Sequence, residues 1–403
     1  MESKAIRKFF AVFLSVMIIF SFSCFAFADD QTDPVTGTED PTEEPTTAGT
    51  VTSPVDISGL ELGRSSSGEM ILMLTGDLMC DYKYQDAVYN KKTKTYDFDN
   101  TLKYARVLFD SADYVIGNLE GNIASSYPIS TKRHRHRGRP YLNGPRSYLS
   151  ALKKAGFDGF VMANNHNCDT YLKGLKETVT AVDKAGFRHT GLYRSSKDKH
   201  YFIVNKDGIK VAFLSYATNF NGLEKKSMSA KYRNICLSRF SAKKARAEIK
   251  KARKAGANYV IVYLHAGREY TQNISGSQKK AVQALANAGA DFIVGSHPHV
   301  LQRTGYVKAG SKKVNYVYSM GNFTGKLWRT STRETAVLRL TLKKNSSGKV
   351  VLKNTQYIPC YMKDSSSEGK MVLIPEGYRT TDEALQKELD KHYKHIRTLL
   401  KVK

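Results

Sequence analysis

Five short apolar runs in this 403-residue chain each give way to a carboxylate, an amide or an imidazole. Residues 71–74 lead into Thr75-Gly76-Asp77, residues 114–116 into Gly117-Asn118-Leu119-Glu120, and residues 160–163 into Asn164-Asn165-His166-Asn167-Cys168-Asp169. Residues 259–264 lead into His265-Ala266-Gly267, and residues 292–294 into Gly295-Ser296-His297-Pro298-His299. One polar residue after a strand is commonly a helix cap or a satisfied core group, but five in succession point to one shared site. Asp77, Glu120, Asn165, His166, His265, His297 and His299 combine carboxylate, amide and imidazole donors, the set that suits manganese, iron or zinc. No Cys-x-x-Cys pair is present, which argues against a structural zinc finger and for a catalytic centre holding two divalent ions.

These side chains must be positioned by the elements around them. The runs are too short for helices and read as buried strands, while Leu172, Leu175, Val179 and Val182 recur at helical spacing. Residues 240–256 read as a cationic helix with Ser241 as its N-cap, and residues 277–288 as a second helix ending at Gly289. In open α/β sheets, ligands bind outside the carboxyl ends of the strands, where all five clusters fall. His265 and His297 are 32 residues apart, one strand-helix-strand unit, so a right-handed crossover can return both to one edge of a parallel sheet. In extended chain, residues two apart share a face, so the two rings of His297-Pro298-His299 are expected to point one way. Residues 201–204 and 210–216 form an expected hairpin about Asp207-Gly208. A second hairpin is expected at 337–342 and 350–352, followed by separate closing strands at 357–361 and 371–375 and a helix at 381–400. Cys80 and Cys168 each follow a site motif; a disulfide is allowed, and the reading taken is buried small hydrophobes.

The ordered motifs Gly76-Asp77, Asn118-Leu119-Glu120, Asn164-Asn165-His166-x-x-Asp169, His265-x-Gly267-x-Glu269-Tyr270, His297-Pro298-His299-Val300 and Tyr318-Ser319-x-Gly321-Asn322-Phe323 resemble the capsule-synthesis CapA family. That family is linked to poly-γ-glutamate capsules and is similar to the calcineurin-like metallophosphoesterases. The resemblance runs from about residue 70 to 375. It implies an α/β fold, the four-layer α/β/β/α sandwich of the calcineurin-like group. It also implies metal positions at Asp77, Glu120, Asn165, His265, His297 and His299, catalytic roles for His166 and Asp169, and substrate contacts at Asn118 and Glu269. Glu120 would bridge the ions, with Asp77 and His299 on one, and Asn165, His265 and His297 on the other. Met79 departs from the phosphoesterase pattern, which has His two positions after the first Asp.

Residues 1–28 read as a signal peptide: a basic start, an apolar stretch and Ala26-Phe27-Ala28. An uncleaved anchor is the alternative. Residues 29–68, rich in Thr, Pro and acids, read as a disordered linker to a domain at 69–375, followed by the C-terminal helix at 376–403. The chain's net charge of +26 is unevenly spread: residues 1–28 carry +2 and 29–63 carry −9, which leaves +33 on residues 64–403. Such a balance calls for a polyanionic partner. Lys132-Arg133-His134-Arg135-His136-Arg137-Gly138-Arg139 concentrates it, either as a solvated basic loop or as substrate-binding arginines Arg133, Arg135, Arg137 and Arg139. A secretory leader and the lack of a nucleic-acid module exclude nucleic acid as the partner, and favour an envelope polymer such as poly-γ-glutamate. No Walker loop, dinucleotide fingerprint or Gly-x-Ser-x-Gly elbow is present. The expected function is thus a cell-envelope protein of poly-γ-glutamate capsule synthesis, a metal-dependent hydrolase of a phosphoester or γ-glutamyl amide. The alternatives are a non-catalytic polyanion-binding subunit working with capsule-synthase membrane subunits, and an envelope-polymer binder with a vestigial site.

Overall fold

The computed structural model describes Leu60 and residues 62–133, 135, 136, 139–364 and 371–401. The leader, the linker up to residue 59 and Arg137 lie outside them. The first sheet begins with β1 (Glu69–Met79), β2 (Tyr114–Glu120), β3 (Gly159–Val161) and β4 (Arg188–Thr190), all parallel neighbours in that order. Between them run the helices α1 (Tyr82–Val88), α2 (Asp99–Phe109), α3 (Arg146–Lys154) and α4 (Tyr171–Lys184).

The second sheet is built from β5 (Phe202–Lys206), β6 (Ile209–Ala217), β7 (Tyr259–His265), β8 (Phe292–Ser296), β9 (Leu301–Ala309) and β10 (Lys312–Met320), in the order β9-β10-β8-β7-β6-β5. Its crossovers carry α5 (Ala242–Lys254) and α6 (Gly276–Ala288). The chain then returns to the first sheet. β11 (Asn322–Thr324) pairs with β1 at Asp77 on the flank away from β2, and on that same flank β12 (Glu334–Lys344), β13 (Val350–Lys363) and β14 (Val372–Pro375) extend the sheet antiparallel.

The two-residue period of each strand sorts the side chains into layers. Leu72 and Leu74 of β1 face the second sheet and meet Phe213, Ile261 and Val294, whereas Met73 joins Leu102, Leu152 and Val179 of the helices outside. In β7, Ile261 and Tyr263 point between the sheets, while Val260, Val262 and Leu264 pack on Ile249 and Leu285 of α5 and α6. Strands buried on both faces need unbroken apolar runs, which is why the five runs were legible in the sequence. The result is the α/β/β/α sandwich. The C-terminal helix α7 (Glu383–Leu400) starts on Asp382, which caps Leu385 N–H at 3.0 Å, and adds Leu389, Tyr393 and Ile396 to the inter-sheet core.

One expectation needs correction, and one strand was not expected. The segments expected at 350–352 and 357–361 are one strand, β13; Lys353 and Asn354 are solvent-facing residues within it, and a register shift at Thr341/Leu342 accommodates the ladder. β9 carries only two buried residues at its start and so left no apolar signature. Cys80, Cys168, Cys236 and Cys360 are all free and buried.

Gly76 has a particular task. A Cβ there would stand 2.0 Å from the Gly321 carbonyl oxygen, the same oxygen that accepts the Asp77 N–H at 2.9 Å. Only a glycine lets β11 approach so closely, and that approach sets Asp77 in place. Gly76→Ala should therefore cost about 1–3 kcal/mol by overpacking. Denaturant unfolding of the variant against wild type measures it, and an unchanged midpoint would contradict this role.

Candidate metal centre

Every strand that feeds the centre ends at one rim. Asp77 and Glu120 lie within β1 and β2, which pair in register as Asp77↔Asn118 and Met79↔Glu120. β7 and β8 pair with His265 opposite Ser296, so the crossover through α6 delivers His265 next to the His297-Pro298-His299 turn. Asn165, His166 and Asp169 occupy the turn between β3 and α4. The two imidazoles of that His-Pro-His turn are not set by strand geometry as expected. His297 and His299 both have left-handed backbone, with φ of 97° and 59°, a conformation costly for side chains with a Cβ. The turn holds because the His297 N–H donates to Asp77 Oδ2 at 3.1 Å and the Pro298 carbonyl accepts the Tyr270 N–H at 2.8 Å.

Glu120 sits at the middle. Its Oε1 lies 3.6 Å from His265 Nε2 and 3.9 Å from His299 Nε2, and neither carboxylate oxygen has a hydrogen-bond partner. Asp77 Oδ2 is 3.5 Å from His299 Nδ1. His297 Nδ1 is also buried without a partner. Two groups of ligand atoms lie within 4.8 Å of one another: Glu120, His297 and His299, and Asp77, Glu120 and His265. Glu120 is common to both, and the His297 ring lies 4.7 Å from that of His265 and 6.0 Å from that of His299. Asn165 Oδ1 stands 2.8 Å from His265 Nε2, beside the second group.

Burial shapes the charges. It pushes the Glu120 carboxyl well above the usual range, and the Asp77 carboxylate adds to the rise. Burial pushes His265 well below its ordinary value, and the neighbouring His297 and His299 add to the fall. His297 drops to about 4 through burial and the proximity of His299. At His299 burial is outweighed by the charges of Glu120 and Asp77, and the imidazole rises to about 10. Glu120 and His299 thus both favour holding a proton in a cluster without a cation. Buried oxygen and nitrogen lone pairs with no donors to satisfy them, in a hard-and-borderline donor set, fit divalent metal ions.

The remaining site residues surround this core. Asn118 is buried and donates to Asp77 Oδ1 at 2.8 Å. His166 Nδ1 lies 2.7 Å from Asp169 Oδ2, which also accepts the Leu142 N–H at 2.8 Å. His166, Glu269 and His297 line an open cleft together with Asn221, Tyr270 and Arg329. Arg133 is exposed, and Arg135 and Arg139 belong to two paired two-residue strands, Arg135–His136 and Arg139–Pro140. Sequence reasoning missed Ser296, whose Oγ is 2.9 Å from His265 Nδ1, and Asn322, whose Oδ1 is 2.9 Å from His299 Nδ1. Both orient a ligand ring through its far nitrogen, a role with no spacing rule of its own. Their only sequence signal was adjacency to a motif: Ser296 directly precedes His297, and Asn322 stands in Gly321-Asn322-Phe323.

Residues 71–326 match the family of the bacterial capsule synthesis protein PGA_cap. The chain is 28% identical over 287 residues to the capsule biosynthesis protein CapA of Bacillus anthracis, and 29% identical over 278 residues to the PGA biosynthesis protein CapA of Bacillus subtilis. These alignments cover 69% and 68% of this chain, and 65% and 68% of those relatives. Among solved structures, the calcineurin-like phosphoesterase YfkN of Bacillus subtilis overlays with a TM-score of 0.47 at 15% identity, covering 82% of this chain and all of that one. The NAD nucleotidase of Haemophilus influenzae gives 0.45 at 16% identity, over 81% of this chain and 62% of that one.

Since the Glu120 carboxyl and the His299 imidazole are both shifted up in the metal-free protein and a metal needs the carboxylate and the neutral ring, binding must expel protons. Manganese affinity should therefore rise at least about tenfold per pH unit from about pH 6 to about pH 9. Titration calorimetry across that range checks it; a flat affinity would show that His299 is not a ligand or carries no proton.

Proposed function

Because the chain belongs to the bacterial capsule synthesis protein PGA_cap family, we propose that it is an extracytoplasmic, metal-dependent hydrolase that acts on an anionic envelope polymer such as poly-γ-glutamate. The observation that carries the reading is Glu120, a buried carboxylate with both oxygens unpartnered and three imidazoles around it. A structural carboxylate in that position would be hydrogen bonded.

Asp77, Glu120, His265, His297 and His299 would hold the metals, with Asn165 beside His265. When bound, a metal pair supplies Lewis-acid activation of water and of the scissile group. Ser296 and Asn322 keep the rings of His265 and His299 turned toward the centre. His166 lines the cleft, and Asp169 beside its Nδ1 orients the imidazole. Its Nε2–H can then pass a proton to the departing oxygen or nitrogen. The +33 carried by residues 64–403 draws an acidic polymer to the domain, and the leader read at residues 1–28 would bring the protein to the compartment where that polymer lies.

A second reading has one observation in its favour. Met79 is buried opposite Glu120 in the β1–β2 register and offers only a soft thioether where hard oxygen or imidazole donors suit the ions. A site weakened there would leave a polymer-handling subunit that works with capsule-synthase membrane subunits and breaks no bond.

His297→Ala should lose metal and activity together. His166→Ala should keep the metal while hydrolysis of a phosphodiester or γ-glutamyl substrate falls roughly 10²–10⁴-fold. Metal content and turnover of both variants decide between the readings. Wild-type turnover no faster than His297→Ala on either substrate would leave the polymer-handling subunit in place of the enzyme.

A further inference from the structure

The outer end of the cleft is built differently from its inner end. Trp328, on the segment between β11 and β12, is 66% exposed, the most of the three exposed large hydrophobic side chains among the described residues. Arg329 places its guanidinium 4.3 Å from the Trp328 ring and 5.1 Å from the Tyr270 ring. Tyr270 in turn lies 5.7 Å from the His299 ring, so a single aromatic side chain separates the guanidinium from a metal-ligand position. Among the described residues Arg329 makes no ion pair; its hydrogen bond is a long one, 3.5 Å, to the Tyr270 carbonyl. Tyr270 itself is fixed by its N–H bond to Pro298, with left-handed backbone at φ 60°.

A guanidinium held against aromatic rings keeps N–H groups that can pair with a planar carboxylate. The exposed face of Trp328 offers apolar surface to methylene carbons. The charge along the cleft agrees. Glu269 acts on His297, His299 and Glu120, and two cationic side chains, Arg268 and Arg329, line the same cleft.

We infer that Tyr270, Trp328 and Arg329 form a subsite that grips a carboxylate of the substrate chain beside the bond presented to the metal centre, and so select a flexible, carboxylate-bearing polymer. The inference rests on the hydrolase reading of the cleft.

Trp328 is the chain's only tryptophan, so its emission reports on this subsite whether or not any bond is broken. The manganese-loaded full chain is titrated with a γ-linked glutamate oligomer, a glutamine oligomer of equal length, and polyphosphate. The glutamate oligomer should shift the emission saturably, the glutamine oligomer should not, and polyphosphate should bind more weakly than the glutamate oligomer. Arg329→Gln should weaken glutamate binding roughly 10- to 100-fold, the loss of a hydrogen-bonded charge, with manganese content unchanged. Emission that stays silent in wild type, wild-type affinity in Arg329→Gln, or tighter binding of polyphosphate would each overturn the carboxylate subsite. Binding that behaves as expected with no hydrolysis would remove the enzyme and leave the subsite standing.

Discussion

A carboxylate taken out of water with neither oxygen hydrogen bonded carries a penalty of several kcal/mol, and Glu120 is in that position. Within the described residues the relief comes from protons: the Glu120 carboxyl is pushed well above its usual range and the His299 imidazole up to about 10. Such a group is maintained because something else completes it, and a cation satisfies Asp77, Glu120 and the imidazoles of His265, His297 and His299 at once. The rest of the molecule can be understood as the means of holding that unsatisfied cluster open.

The two sheets divide that work. The first delivers Asp77 and Glu120 on adjacent parallel strands, and the second delivers His265 and the His297–His299 turn by a single crossover. Strain is concentrated where the two meet. His297 and His299 sit in left-handed backbone, and Gly76 admits the Gly321 carbonyl where no side chain would fit. Both features depend on tight hydrogen bonds to Asp77, so the same residue that would bind metal also locks the sheets' rims together.

Much of this was visible in the chain before any coordinates. The apolar runs are legible because parallel strands buried on both faces cannot carry polar residues, and the histidines are legible because nothing else explains imidazoles at so many strand ends. What escaped was set by contacts distant in sequence. β9 is half exposed and has no periodic signal, and β13 continues through Lys353 and Asn354 because its partner β12 does. Ser296 and Asn322 act only through rings whose placement depends on the turn. The backbone of that turn defeats the alternation rule, since neither His297 nor His299 is extended. Trp328 and Arg329 belong to no motif; only the fold brings them against Tyr270.

The central proposal is that Glu120 would be common to the residues holding two metal ions, and equilibrium dialysis against manganese followed by elemental analysis tests it most directly. Wild-type protein should hold two ions per chain, and Glu120→Gln should lose both together, since each ligand group contains that carboxylate. Two ions retained in Glu120→Gln, or none in wild type, would contradict the account.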